Sequence, residues 1–185
     1  TDYQTTGYSF FQALVVPLEG EPWMVTRKLE ESNVFARTWV ELSRPYPDTG
    51  DAIQMLVASL VEFGLAGQTI GYERNSYYFT AYHQDYFHTS FTRSRIMDCF
   101  GIVEEGRIIK SAVELEAMGK AAVATKAGMA AGIDAARPGV TENEIAGAIS
   151  QAMFAAGGEF PAVMPYVTSG PRSMIGHATW EGRTV

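Results

Sequence analysis

Three histidines are the side chains here best suited to moving a proton near neutral pH: His83, His88 and His177. His177 lies in Ser169-Gly170-Pro171-Arg172-Ser173-Met174-Ile175-Gly176-His177-Ala178-Thr179-Trp180, a loop punctuated by glycine and proline. Loops held by rigid elements commonly present catalytic groups. An imidazole placed there can hydrogen-bond a substrate carbonyl or shuttle its proton, and the competing reading is a structural loop histidine. Arg172, five residues earlier, carries a fork suited to clamping a carboxylate, or else to solvent or an ion pair. His83 and His88 are five positions apart, so on a helix they point about 140° from each other. That divergence suits a surface role, or contact with substrate or a neighbouring subunit, better than shared metal ligation.

Several chemistries have no motif to carry them. The chain has no G-x-S-x-G elbow, no phosphate-binding loop, no G-x-G-x-x-G and no H-E-x-x-H. A single cysteine, Cys99, builds neither a disulfide nor a thiolate zinc site, and it fits a reducing, cytoplasmic setting. Fourteen Lys and Arg against 21 Asp and Glu give a net charge of −7, which argues against nucleic-acid and polybasic membrane partners. No apolar run approaches the ~18 residues that span a bilayer. Thr1 to Thr6 lack the basic, then apolar, start of a signal peptide. With 46% apolar and 19% charged residues, the 185-residue chain can pack a core.

The elements that must position these residues follow from periodicity and breakers. Ala13–Val16 and Trp23–Thr26 read as a hairpin across Glu19-Gly20-Glu21, residues 28–37 as a short helix, and Trp39–Leu42 as a third strand. Arg44 to Asp48 reads as a proline loop. Ile53, Leu56, Val57, Leu60 and Val61 share one helical face, capped by Asp48 or Thr49 and ended near Gly64 and Gly67. Thr69–Tyr72 is expected as a strand, residues 77–91 as a helix, and residues 95–103 as a strand running into a linker at Glu104-Glu105-Gly106. Ser111 with Glu114, and Thr141 with Glu144, are capping boxes for two long helices separated by Arg137-Pro138-Gly139. Small residues from Ala121 to Gly132 allow close packing, Gly157-Gly158 stops the second helix, and Pro161–Thr168 reads as a strand before the His177 loop. A domain boundary is expected near residue 108.

Against that frame, Arg107-Ile108-Ile109-Lys110-Ser111 with Glu114-Leu115-Glu116 and Met118 resembles the opening of the catalytic domain in the creatinase/prolidase/aminopeptidase P family. Gly139-Val140-Thr141-Glu142 with Glu144-Ile145-Ala146 resembles its second helix, and Ser169 to His177 the loop bearing its first active-site histidine. Thr6-Gly7-Tyr8-Ser9 and Ile70-Gly71-Tyr72-Glu73 resemble parts of its N-terminal domain. The resemblance implies an α/β (α+β) fold class: a creatinase-type mixed α/β domain over residues 1–108, then the first half of a pita-bread catalytic domain over residues 109–185.

It also implies a C–N bond hydrolase that acts on a small molecule or short peptide, commonly as a homodimer. Xaa-Pro peptidase members hold two divalent ions (Mn, Co or Zn), but their metal carboxylates come later than Val185, so no metal ligand is expected within this chain. His177 is then the expected catalytic residue, with Arg172, His83 and His88 as candidate substrate contacts. The chain is expected to be a central fragment of a longer enzyme, inactive alone. Two alternatives stay open. One is a metal-free creatinase-like or ectoine hydrolase-like enzyme, toward which His177-Ala178-Thr179-Trp180 leans. The other is a non-catalytic binding protein that reuses the fold.

Overall fold

The computed structural model describes residues 10–185, so Thr6-Gly7-Tyr8-Ser9 lies outside the described residues. The chain forms two compact units, divided between Gly106 and Arg107.

Unit 1 begins with the expected hairpin. Strands β1 (Ala13–Val15) and β2 (Trp23–Arg27) pair antiparallel, Ala13 opposite Val25 and Val15 opposite Trp23. Helix α1 (Glu31–Arg37) then crosses over to β3 (Leu42–Tyr46), which runs parallel to β2. This corrects the expected strand at residues 39–42 and the expected proline loop at residues 44–48. Among the described residues β3 is one edge of the sheet, with Pro45 opposite Thr26. An edge strand leaves alternate N–H groups outside the ladder, which is where proline is tolerated.

Helix α2 (Ala52–Glu62) starts at a different cap from the one expected. The Asp51 carboxylate accepts from Ile53 N at 3.0 Å. Asp48 is already taken by Arg27, at 2.9 and 2.8 Å. Ile53, Leu56 and Leu60 are buried as the periodicity requires, whereas Val61 faces solvent. The same helix places Ser59 under Trp23, whose Nε1 donates to Ser59 Oγ at 3.0 Å.

A second sheet pairs β4 (Thr69–Tyr72) parallel with β5 (Arg95–Asp98), joined through α3 (Ala81–Ser90). Gly71 in β4 is required by its neighbour, because a Cβ there would lie 2.2 Å from Cys99 Sγ. α3 starts at Ala81 because the Thr80 hydroxyl caps it, accepting from His83 N. β5 ends at Asp98, whose carboxylate accepts from Phe100 N at 2.9 Å. Residues 102–108 then form helix α4 (Ile102–Ile108) where a strand end and a linker were expected. Glu104 and Glu105 fall in its first turn, where the helix dipole favours acidic groups. Trp23, Val25, Ile53 and Leu60 share one buried core with Phe79, Phe87 and Phe91.

Unit 2 is built on helices α5 (Ala112–Ala135) and α6 (Glu142–Ala155), and both expected capping boxes are formed. The helices run antiparallel at close range. A Cβ on Gly128 would lie 2.4 Å from Met153 Cγ, and one on Gly132 2.7 Å from Ile149 Cγ1. Ile145, Ala146 and Val167 form a small core with Trp180 against it. The strand expected at residues 161–168 is absent from the described sheets, since an extended run becomes a strand only where a neighbour supplies a ladder.

Candidate active site

The first turn of α6 organises the loop that carries His177. Thr141 caps the helix, which puts Glu142 at its first position. Glu142 is fully buried. Its Oε1 accepts from Ser169 N at 2.7 Å and from Ser169 Oγ at 2.8 Å. Its Oε2 accepts from Arg172 Nη1 at 2.5 Å and from Glu181 N at 3.1 Å. Burial pushes this carboxyl up, but the donors on Ser169, the Glu181 amide and the Arg172 charge outweigh it, and hold Glu142 below the ordinary glutamate range.

Arg172 completes the arrangement. Its Nη2 donates to Thr179 O at 2.6 Å and pairs with Glu181 Oε1 at 2.9 Å. The guanidinium expected as a substrate clamp therefore already binds three groups of its own unit. Beyond Glu181 the chain returns alongside the residues before α6. Glu142 N donates to Arg183 O at 2.8 Å, Thr141 bridges Thr184, and Val185 N donates to Val140 O at 2.9 Å. Gly170 has a positive φ of 55°, and a Cβ there would meet Arg183 Nη2 at 2.7 Å.

His177 sits between these anchors, exposed, at φ 60°, the one non-glycine with positive φ among the described residues. Such a conformation costs of order 1–3 kcal/mol and persists only where the surroundings enforce it. Its ring stacks on Tyr166 with centroids 5.1 Å apart and planes 30° from parallel. The exposed imidazole can offer a hydrogen bond or a proton to a bound carbonyl or amine.

His83 and His88 belong to unit 1, on α3, and are occupied there. His88 Nε2 lies 3.0 Å from Tyr72 Oη, and His83 Nδ1 lies 3.3 Å from Tyr78 O with its ring edge-on to Phe11. Among the described residues no three His, Cys, Asp or Glu side chains converge as a metal site would require. The two-ion centre that the family resemblance implies takes several converging carboxylate and imidazole ligands, and the described residues assemble no such set. Glu142 is the group that reading the sequence overlooked. It was visible only as one acidic residue in Thr141-Glu142-Asn143-Glu144, while its partners lie 27 to 39 residues away. The usable signal was a loop arginine, Arg172, in need of a carboxylate.

The chain has a mixed α/β unit followed by a helical unit whose histidine-bearing loop is clasped to the start of α6. Residues 1–109 match the creatinase/prolidase N-terminal domain and residues 116–185 match metallopeptidase family M24, so the chain belongs to the creatinase/prolidase family. It is 24% identical over 196 residues to ectoine hydrolase of Halomonas elongata, covering 95% of this chain and 49% of that protein. It is 26% identical over 198 residues to an uncharacterized hydrolase/peptidase of Sinorhizobium fredii, covering 100% and 50%. The fold is shared with the prolidase of Thermococcus sibiricus, with a TM-score of 0.77 at 18% identity over 98% of this chain and 48% of that one. The chain spans about half the length of the curated relatives it matches. No helix among the described residues is long and apolar enough to cross a membrane.

Proposed function

We propose that the full-length protein hydrolyses a C–N bond in a short peptide or small amide, with His177 as its imidazole acid–base group. The observation that carries this reading is the exposed His177 ring, held at φ 60° on a loop anchored at both ends. In this role the imidazole takes a proton from the water that adds to the scissile carbonyl carbon and passes it to the nitrogen as the C–N bond breaks. An Xaa-Pro dipeptide is the leading substrate class, and a homodimer the leading assembly. Residues 1–108 act as the N-terminal domain and residues 109–185 as the opening of the catalytic domain. Arg172 serves as a holder of the loop, because clamping a substrate carboxylate would require it to release Glu142. His83 and His88 serve in the wall of the N-terminal domain. A second reading, a metal-free creatinase-like amidinohydrolase or ectoine hydrolase-like enzyme, is supported by the similarity to ectoine hydrolase.

The test assays the full-length protein on Xaa-Pro dipeptides, ectoine and creatine, with and without chelator, beside His177→Ala. The expected outcome is Xaa-Pro turnover that chelator abolishes and that His177→Ala lowers by ~10²–10⁴-fold. The same substitution loses the stacking on Tyr166 and should cost about 0.5–1.5 kcal/mol of stability, far less than its effect on turnover. Chelator-insensitive turnover of ectoine or creatine selects the second reading. Near-normal turnover by His177→Ala removes the imidazole from the chemistry.

A further inference from the structure

The carboxylate of Glu142 is fully buried and makes four hydrogen bonds, none of them to its own helix. Two go to Ser169, eight residues before His177, one to Arg172, and one to the amide of Glu181, four residues after it. Arg172 repeats the pattern, reaching past His177 to Thr179 O and to the Glu181 carboxylate. Every strand of this clasp therefore crosses from one side of His177 to the other, or ties one side to α6. A buried carboxylate is costly unless its lone pairs are filled, and here both oxygens are filled by donors from the loop itself. The segment the clasp encloses is the one that holds a non-glycine residue at positive φ.

We propose that Glu142 is a positioning residue: through Ser169, Arg172 and Glu181 it enforces the strained backbone of His177 and so aims the imidazole. This rests on the reading of His177 as the acid–base group, but the geometric part is testable without it. The isosteric Glu142→Gln is the informative change. Its amide oxygen still accepts from Ser169, but its NH2 confronts two donors, Arg172 Nη1 and Glu181 N. Glu142→Asp keeps the charge on a shorter arm. Thr141→Ala is the control, because it removes the cap of α6 and leaves the clasp intact.

The experiment follows the ring signals of His177 by NMR and the amide exchange of Ser169 and Glu181 in the full-length protein, with kcat and KM measured in parallel. Glu142→Gln is expected to shift the His177 ring signals and to speed exchange at Ser169 and Glu181 by about tenfold or more, the loss of charge-assisted hydrogen bonds. It should lower kcat more than it raises KM. Glu142→Asp should restore part of each change, and Thr141→Ala should leave the ring signals in place. Should Glu142→Gln not fold, Glu142→Asp carries the test through the same readouts. Unchanged ring signals and loop exchange in the Glu142 variants overturn the proposal, and so does an equal shift in Thr141→Ala, which would assign the effect to helix stability. A moved ring in Glu142→Gln together with full turnover by His177→Ala supports the positioning and rejects the catalytic reading, so the two failures are distinguishable.

Discussion

The two units keep order in different ways. Unit 1 closes a core, with Trp23, Val25, Ile53 and Phe87 almost free of solvent contact and two small sheets to carry them. In unit 2 the side chains fully withdrawn from water are few, and the largest of them is a carboxylate, Glu142. Its long helix leaves Val113 77% and Ile133 68% exposed. Hydrophobic burial therefore sets the stability of unit 1, while polar clasps and close glycine contacts set the local geometry of unit 2. A loop held by directed hydrogen bonds has its orientation fixed without a large core beneath it. That suits the role proposed for this segment, to present the His177 imidazole.

The comparison breaks most readily through the largest core side chain. Trp23→Ala should destabilise unit 1 by about 3–5 kcal/mol, since it leaves a cavity and removes the donor to Ser59 Oγ, which keeps only its own bond to Leu56 O. Ile145→Ala in unit 2 should fall near the low end for such truncations, about 2 kcal/mol, because less surrounds it. Urea unfolding of each variant, followed by circular dichroism, measures both. Equal costs would mean that unit 2 holds a core comparable with that of unit 1.

A smaller effect separates the units by pH. Burial pushes the Tyr46 phenol up to about 12, with Arg27 pulling it down and Asp48 pushing it up. A phenol whose folded pKa is raised stabilises the fold below its unfolded value of about 10, and that contribution is lost as pH climbs from 10 to 12. Glu142, which faces Arg172 with Glu181 beyond it, has a depressed pKa and behaves in the opposite sense. Its contribution is present above about pH 4.3 and is lost as pH falls through its lower folded value. Asp48 and Glu62 are also held low by Arg27 and Arg44, but these pairs are exposed and solvent screens them. Indole NMR signals should therefore show Trp180 responding first to acid and Trp23 first to alkali. Acid moving Trp23 before Trp180 would contradict this assignment.

What was legible in the sequence was local. Both capping boxes, the glycine stops at Gly64 and Gly157, and the β1–β2 hairpin depend on residues a few positions apart, and each is formed. The errors came where a distant partner decides. Asp48 lost its capping role to Arg27 across 21 residues, and Pro45 entered a strand because β3 fell at an edge. Residues 161–168 have strand composition but no ladder. At the candidate site the sequence singled out His177 and Arg172, yet not the carboxylate that joins them to α6. Nothing within Thr141–Glu144 distinguishes a buried Glu142 from an exposed one.

Hydrogen exchange over the 185-residue chain tests the contrast between the units most directly. Amides of β2 and α2 should show the strongest protection, because they open only when the unit 1 core does. Amides of α5 should exchange faster, while those of Ser169 and Glu181, donated to Glu142, should stand out as protected points in an otherwise open loop. Protection in α5 and α6 equal to or above that of β2 and α2, with no local maximum at Ser169 and Glu181, would contradict the account.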